Sequence, residues 1–322
     1  MKYYLVALLT FFSIIGLSAC TTGEEEPREE DEEMNTEPVS PDEFTNQFLD
    51  GDFERLYNQT SSEFQSIVTL DEFVELGESF NANVNNYELI SEVPIQNMQE
   101  YQWISDQGDK GIRSYFAEDL TIEGLQLIPI VSYPESDETY TENTYRMPIN
   151  EEWYTFWGGT NELVNYHYPL ENQRYAYDLF ILKEDTSFNG DPEENESYFA
   201  FGKEVVAPLD GVIISAENTI ADNTPNVDTN EEQLLGNHVV IEHENDEYSV
   251  IAHLKEGSLR VSKGDSVSAG DILGLAGNSG NSSEPHIHFH VADSADWENA
   301  ASIRIKLEDE IEPVRGETIT GF

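Results

Sequence analysis

Apolar residues recur four apart early in the chain: Phe44 with Phe48, then Phe64 with Val68. That spacing predicts helices between residues 41 and 80, and TLDE (Thr69 to Glu72) fits a capping box at the start of one of them. The period then changes. YQWISD and IRSYFAED flank the turn QGDKG and lead into LTIEGLQLIPI, a pattern of antiparallel strands. Helices followed by such a run predict a small α+β unit over 41–132. It holds no His and no Cys, so it reads as a spacer or binding unit rather than a catalytic one.

A polar connector is predicted over 133–150. From 151 to 322 short apolar runs alternate with turns. YFAFGKEVVAPLDGVIISAE reads as strand, turn, strand, and NHVVIEHENDEYSVIAHL as a hairpin around ENDE. SLRVSKGDSVSAGDILGLAG sets glycines between short runs, and IADNTPNVDTNEEQLLG reads as a surface loop. The expected fold is therefore a mainly β unit, an antiparallel sheet or sandwich, preceded by the small α+β unit.

The first twenty residues, MKYYLVALLTFFSIIGLSAC, have the outline of a secretory signal: Lys2, an apolar run, small residues, then Cys20. The apolar run is slightly short for a membrane span. Residues 21–40, rich in Glu, cannot offset the entropy of ordering and are expected to form a disordered tether. Fully extended, twenty residues reach at most about 70 Å.

Charge narrows the partners. Acidic residues outnumber basic ones 65 to 15, for a formal net charge of -50, which leaves no basic surface to attract nucleic acid or anionic lipid. Cys20 is the only cysteine, so no intrachain disulfide is possible.

The chemistry concentrates in SSEPHIHFHVADS. On a strand, His286, His288 and His290 would point one way and Ile287, Phe289 and Val291 the other. Such a row of imidazoles can face a metal ion, or it can be an ordinary solvent-facing row; residue types alone leave both open. The helical His-Glu-x-x-His pattern and cysteine-pair zinc sites are absent. The string GLAGNSGNSSE is not read as a phosphate loop, because it leads into a strand rather than a helix N-terminus.

Two resemblances add to this reading. FLDGDFERLYNQTSSEFQSIVTLDEF loosely resembles small NTF2-like domains of secreted bacterial proteins, and LSAC resembles the lipobox of bacterial lipoproteins. The second implies acylation of Cys20 and a lipid anchor on the outer face of the cell membrane. More specifically, the AP-x-DG turn, the HL of SVIAHL, the V-x-x-GD-x-V run ending in GNSG, and PHIHF occur in the order found in lysostaphin/LytM-type zinc endopeptidases. That resemblance covers about 150–295 and is strong from Tyr198 onward.

The resemblance implies hydrolysis of peptide bonds in peptidoglycan with Zn2+ as cofactor. It implies Asp178 and His288 as metal ligands, and His253 and His286 as the catalytic pair acting on water and the developing oxyanion. His290 stands where the family often has an acidic residue and is assigned no role. At one position the chain departs: Arg174 replaces the ligand histidine four residues before Asp178, and a guanidinium has no lone pair to offer. His167, eleven residues before Asp178, is the candidate third ligand, against the alternative of a surface loop residue. His238 and His243 are read as ordinary strand-end residues. Two further readings stay open: an inactive wall-binding or regulatory module, and a sensor whose first unit binds a small ligand beside a relic peptidase.

Overall fold

The computed structural model describes residues 37–322. The signal reading over 1–20, with Cys20, and most of the acidic stretch over 21–40 lie outside the described residues. Among the described residues no helix is long and apolar enough to cross a membrane.

Four helices come first: α1 (Pro41–Asp50), α2 (Phe53–Asn58), α3 (Ser62–Ile67) and α4 (Leu70–Phe80). Pro41 opens α1, where its missing N–H costs nothing, and Gly51 closes it in the left-handed region at φ 83°. Thr69 and Glu72 form the capping box of α4, each side chain bonded to the other's backbone N–H. The strands β1 (Tyr87–Ile95), β2 (Met98–Ser105), β3 (Lys110–Ala117) and β4 (Ile122–Pro129) follow as an antiparallel meander. The helices bury Phe44, Phe48 and Phe73 against Trp103, Ile112 and Phe116 of the sheet. Each such side chain contributes roughly 1.5–3 kcal/mol by leaving water.

The rest of the chain builds a nine-stranded sheet and a two-stranded ribbon. The strands are β5 (Glu152–Trp157), β6 (Tyr177–Phe180), β7 (Glu204–Val206), β8 (Gly211–Glu217), β9 (Asn237–Glu242) and β10 (Tyr248–Leu254). They continue as β11 (Ser266–Val267), β12 (Ile272–Leu275), β13 (Ile287–Ala292), β14 (Ser302–Ile303) and β15 (Thr318–Thr320). The large sheet runs β11-β8-β9-β10-β13-β6-β5-β15, with β14 paired beside β13, and β7 pairs with β12 as the ribbon. The architecture is thus mainly antiparallel β preceded by a small α+β region. Ile287, Phe289 and Val291 face the core, where they meet Val239, Ile241 and Ile251.

The stretch read as a connector packs rather than hangs. Tyr145, Met147 and Ile149 alternate into the core of the large sheet. Their period of two is a strand pattern, and it is used in isolated bridges to Leu307 and Val205.

His243 directly follows β9 and is buried, its Nδ1 2.8 Å from the Asp210 carbonyl and its Nε2 2.7 Å from Ser249 Oγ. Burial holds its pKa below the ordinary value, against the pull of Asp210 and Glu247. His238 is shifted the same way for the same leading reason. The native state therefore binds fewer protons than the unfolded chain in the window below the usual imidazole value. Stability from this source is complete above about pH 6.5 and is lost as pH falls through the folded values. With metal removed, the urea midpoint should be lower at about pH 5.5 than at about pH 7.5, and His243→Gln should flatten that difference.

Candidate metal centre

Strand β13 lies between β10 and β6, and its register fixes the site. His288 stands opposite Asp178 on β6 and opposite Ala252 on β10. Because side chains alternate, His286, His288 and His290 share the face opposite the core residues Ile287, Phe289 and Val291. His288 Nδ1 is 3.0 Å from Asp178 Oδ1.

His167 completes the cluster. It lies on the turn-rich segment between β5 and β6, fully buried, with Nε2 3.6 Å from Asp178 Oδ2. His167, Asp178 and His288 each offer one ligand atom, all within 4.8 Å of one another. The two imidazoles approach different oxygens of the one carboxylate, His288 at Oδ1 and His167 at Oδ2, so the three side chains converge on one point from three elements.

The tautomer of His167 is set from behind. Asn165 Nδ2 faces the carbonyls of Gly159, Arg174 and Ala176 at 3.1–3.2 Å, which turns Asn165 Oδ1 toward His167 Nδ1 at 3.0 Å. Oδ1 accepts, so Nδ1 carries the hydrogen and Nε2 keeps its lone pair. That buried Nε2 has no hydrogen-bond partner. Burial pushes the His167 pKa down to about 3, against the opposing pull of Asp178, so the ring is neutral. Burial would raise the Asp178 carboxyl, but His167, the hydrogen bond from His288 and the other nearby imidazoles hold it well below the usual range. A bare imidazole lone pair facing a buried carboxylate is an arrangement that a cation resolves, and the donor set suits zinc. Asn165→Ala should weaken zinc binding about 10- to 100-fold in a competition titration, the usual cost of removing a ligand's orienting partner.

Arg174 does not enter the hollow. Its Nε donates to the Tyr168 carbonyl at 3.1 Å, Nη1 to Ser136 Oγ at 3.1 Å, and the guanidinium lies 3.6 Å above the Tyr133 ring. It pins the 133–137 stretch to the outside of the turn.

His253 and His286 flank the cluster, their rings 4.7 Å apart. His253 sits at φ 62°, an uncommon conformation for a non-glycine residue, at the break in β9–β10 pairing between Ile251 and Leu254. Its N–H donates to the Leu235 carbonyl and its Nδ1 is 2.8 Å from the Ser279 carbonyl. Gly236 permits that approach, since a Cβ there would lie 2.3 Å from the Ser279 carbonyl carbon. His286 lies flat against Phe180, with Nδ1 2.8 Å from the Glu284 carbonyl and Nε2 3.8 Å from Asp178 Oδ1. Both rings thus hold Nδ1–H on a carbonyl and leave Nε2 free to accept a proton. Burial lowers both pKa values, so both stay neutral near pH 7. The glycine string before β13 supplies these anchoring groups.

The structure brings together all five residues singled out from the sequence: His167, Asp178, His253, His286 and His288. It adds three others. His290, assigned no role above, has Nδ1 2.9 Å from His288 Nε2, a contact that orients the His288 ring. Asn165 orients His167, and the Tyr166 ring covers it at 3.9 Å. Asn165 and Tyr166 carry no motif; adjacency to His167 is the only signal that could have found them. His238 and His243 stay outside the site.

Residues 197–300 match Peptidase family M23. The matched stretch includes His253, His286 and His288 but neither His167 nor Asp178. No curated protein matches the chain. Among solved structures it is similar to the catalytic domain of the antimicrobial peptidase lysostaphin from Staphylococcus simulans, at 22% identity over 48% of this chain and 88% of that one, with a TM-score of 0.28. It is also similar to a zinc containing peptidase from Vibrio cholerae, at 17% identity over 64% of this chain and 49% of that one, with a TM-score of 0.26.

Proposed function

We propose, from the M23 match over 197–300 and the His167–Asp178–His288 cluster beside it, that this protein is a zinc-dependent endopeptidase cleaving peptide bonds of bacterial peptidoglycan. The observation that carries the reading is the unpartnered His167 Nε2 facing Asp178, in a site whose motif ligand has become Arg174. His167, Asp178 and His288 would hold the ion. Zinc bound there supplies Lewis acidity toward water and toward a substrate carbonyl.

The remaining work falls to His253 and His286. Either can take a proton from water at Nε2 as general base. Once protonated, it can hand that proton to the departing amine. The other ring, 4.7 Å from the first, would stabilise the oxygen anion of the tetrahedral intermediate when it carries a proton. Phe180 walls His286 and keeps the imidazole from turning.

The rest of the reading follows the sequence. Cys20 would be acylated, the acidic stretch would space the enzyme from the bilayer, and the site would work outside the cell membrane on wall peptides. The full chain incubated with purified peptidoglycan should release new amino termini and bind about one equivalent of zinc. Asp178→Ala should lose both. Peptide binding without hydrolysis and without zinc would instead support an inactive wall-binding module.

A further inference from the structure

A cavity of about 590 Å³ opens between the helices, strands β3 and β4, and the segment that carries His167. That volume lies in the range of small-molecule sites, about 300–1,000 Å³. Its walls are apolar: Phe64, Phe73, Leu125 and Leu127 line it. Residues 41–132 hold only three basic side chains, Arg55, Lys110 and Arg113, and two of them line this cavity. Lys110 Nζ bonds only carbonyls, those of Phe80 and Ala82. Arg113 shares the single Glu100 carboxylate with Arg315, at 3.7 Å against 2.9 Å. Among the described residues Lys110 thus has no carboxylate within ion-pair distance, and Arg113 has only the shared one. The two acids of the lining, Asp109 and Glu162, keep their charge but pair with neither cation: Asp109 accepts from Ser105 Oγ, and Glu162 from the Val131 N–H.

We infer that this cavity binds an amphiphile with an apolar chain and one anionic head, such as a fatty carboxylate, with the head toward Lys110 and Arg113. Binding there is coupled to the metal centre. Glu162, Tyr166 and Pro169 close the cavity, and all three belong to the His167 segment. The Tyr166 ring rests on the His167 ring. Arg113 Nη2 donates to the Leu163 carbonyl, and the Leu163 side chain fills the space over Gly111, where a Cβ would lie 2.4 Å from it. An occupant that braces these groups holds His167 in its ligating position, so amphiphile and zinc strengthen each other's binding reciprocally. This coupling rests on the metal reading above; the ligand site does not.

Dodecanoate titrated calorimetrically into the full chain tests both parts. It should bind the native protein and Arg55→Met alike, at least tenfold more weakly to Lys110→Met, and not at all to Leu127→Trp, which fills the cavity. Dodecanol should bind more weakly than dodecanoate. Zinc affinity should rise about fivefold or more when dodecanoate is saturating. Equal binding of dodecanol, or unchanged binding by Lys110→Met, overturns the anionic-head assignment even if Leu127→Trp fails to fold. Absence of dodecanoate binding overturns the site. Dodecanoate binding with unchanged zinc affinity overturns the coupling alone. If zinc never binds, the metal reading and the coupling fall together, while the ligand site is judged by its own titration.

Discussion

Replacing His167 with alanine is expected to strip the protein of zinc and to slow peptidoglycan hydrolysis about a thousandfold or more. A Lewis acid contributes several kcal/mol to such a reaction, and each 1.4 kcal/mol is a factor of ten in rate. The loss should match that of Asp178→Ala, because both remove one of three donors around the same point. The informative companion is the double variant His167→Ala/Arg174→His. It places histidine where the sequence motif expects it, but Arg174 leaves the chain toward Tyr133, Tyr168 and Ser136, away from Asp178. Rescue is therefore not expected. Full zinc content in His167→Ala, measured by elemental analysis, would refute the ligand assignment. Rescue by Arg174→His would show that the turn can be rearranged to bring position 174 from the Tyr168 and Ser136 side to the metal.

Much of this site was legible because it obeys a period. His286, His288 and His290 alternate with Ile287, Phe289 and Val291, and the sheet can sort them only one way. The TLDE capping box was legible for a similar reason: three residues of spacing define it. The NHVVIE and YSVIAHL segments pair as the hairpin the pattern predicts. His167 could be found only by elimination, since nothing in its neighbourhood marks a ligand. Strands β1, β5 and β15 escaped for physical reasons. β1 carries a bulge between Leu89 and Ser91 that breaks its alternation, and β15 is three residues long and exists by pairing with β5, more than 150 residues away. Asn165 and Tyr166 matter through what the fold brings to them, and no local pattern encodes that.

The same limit hides the contact on which the largest stability change should fall. Glu100 on β2 and Arg315 near the C-terminus are 215 residues apart, each almost fully buried, with Arg315 Nε 2.9 Å from Glu100 Oε1. Gln102 Nε2 donates to the same carboxylate oxygen, Arg315 Nη1 donates to the Phe156 carbonyl, and the guanidinium stacks at 3.8 Å on the Trp157 ring. The pair ties the four-stranded sheet to β5. Glu100→Ala leaves a guanidinium that cannot discharge in a place without water, which should cost about 3–5 kcal/mol and lower the urea midpoint accordingly. Arg315→Met leaves the carboxylate with Arg113 at 3.7 Å as its remaining cation and should cost less. The double variant Glu100→Leu/Arg315→Met removes both charges of the pair and should recover part of the loss, because the attraction within a buried pair mainly offsets its own desolvation, while Arg113 loses its share of the carboxylate. Additive losses in the double variant would contradict that account and assign the effect to packing. Trp157 stands opposite Asp178 in the β5–β6 ladder, so each single variant should also loosen zinc binding. Loss of stability with unchanged zinc affinity would mean that the two sheets are joined there without the junction supporting the metal centre.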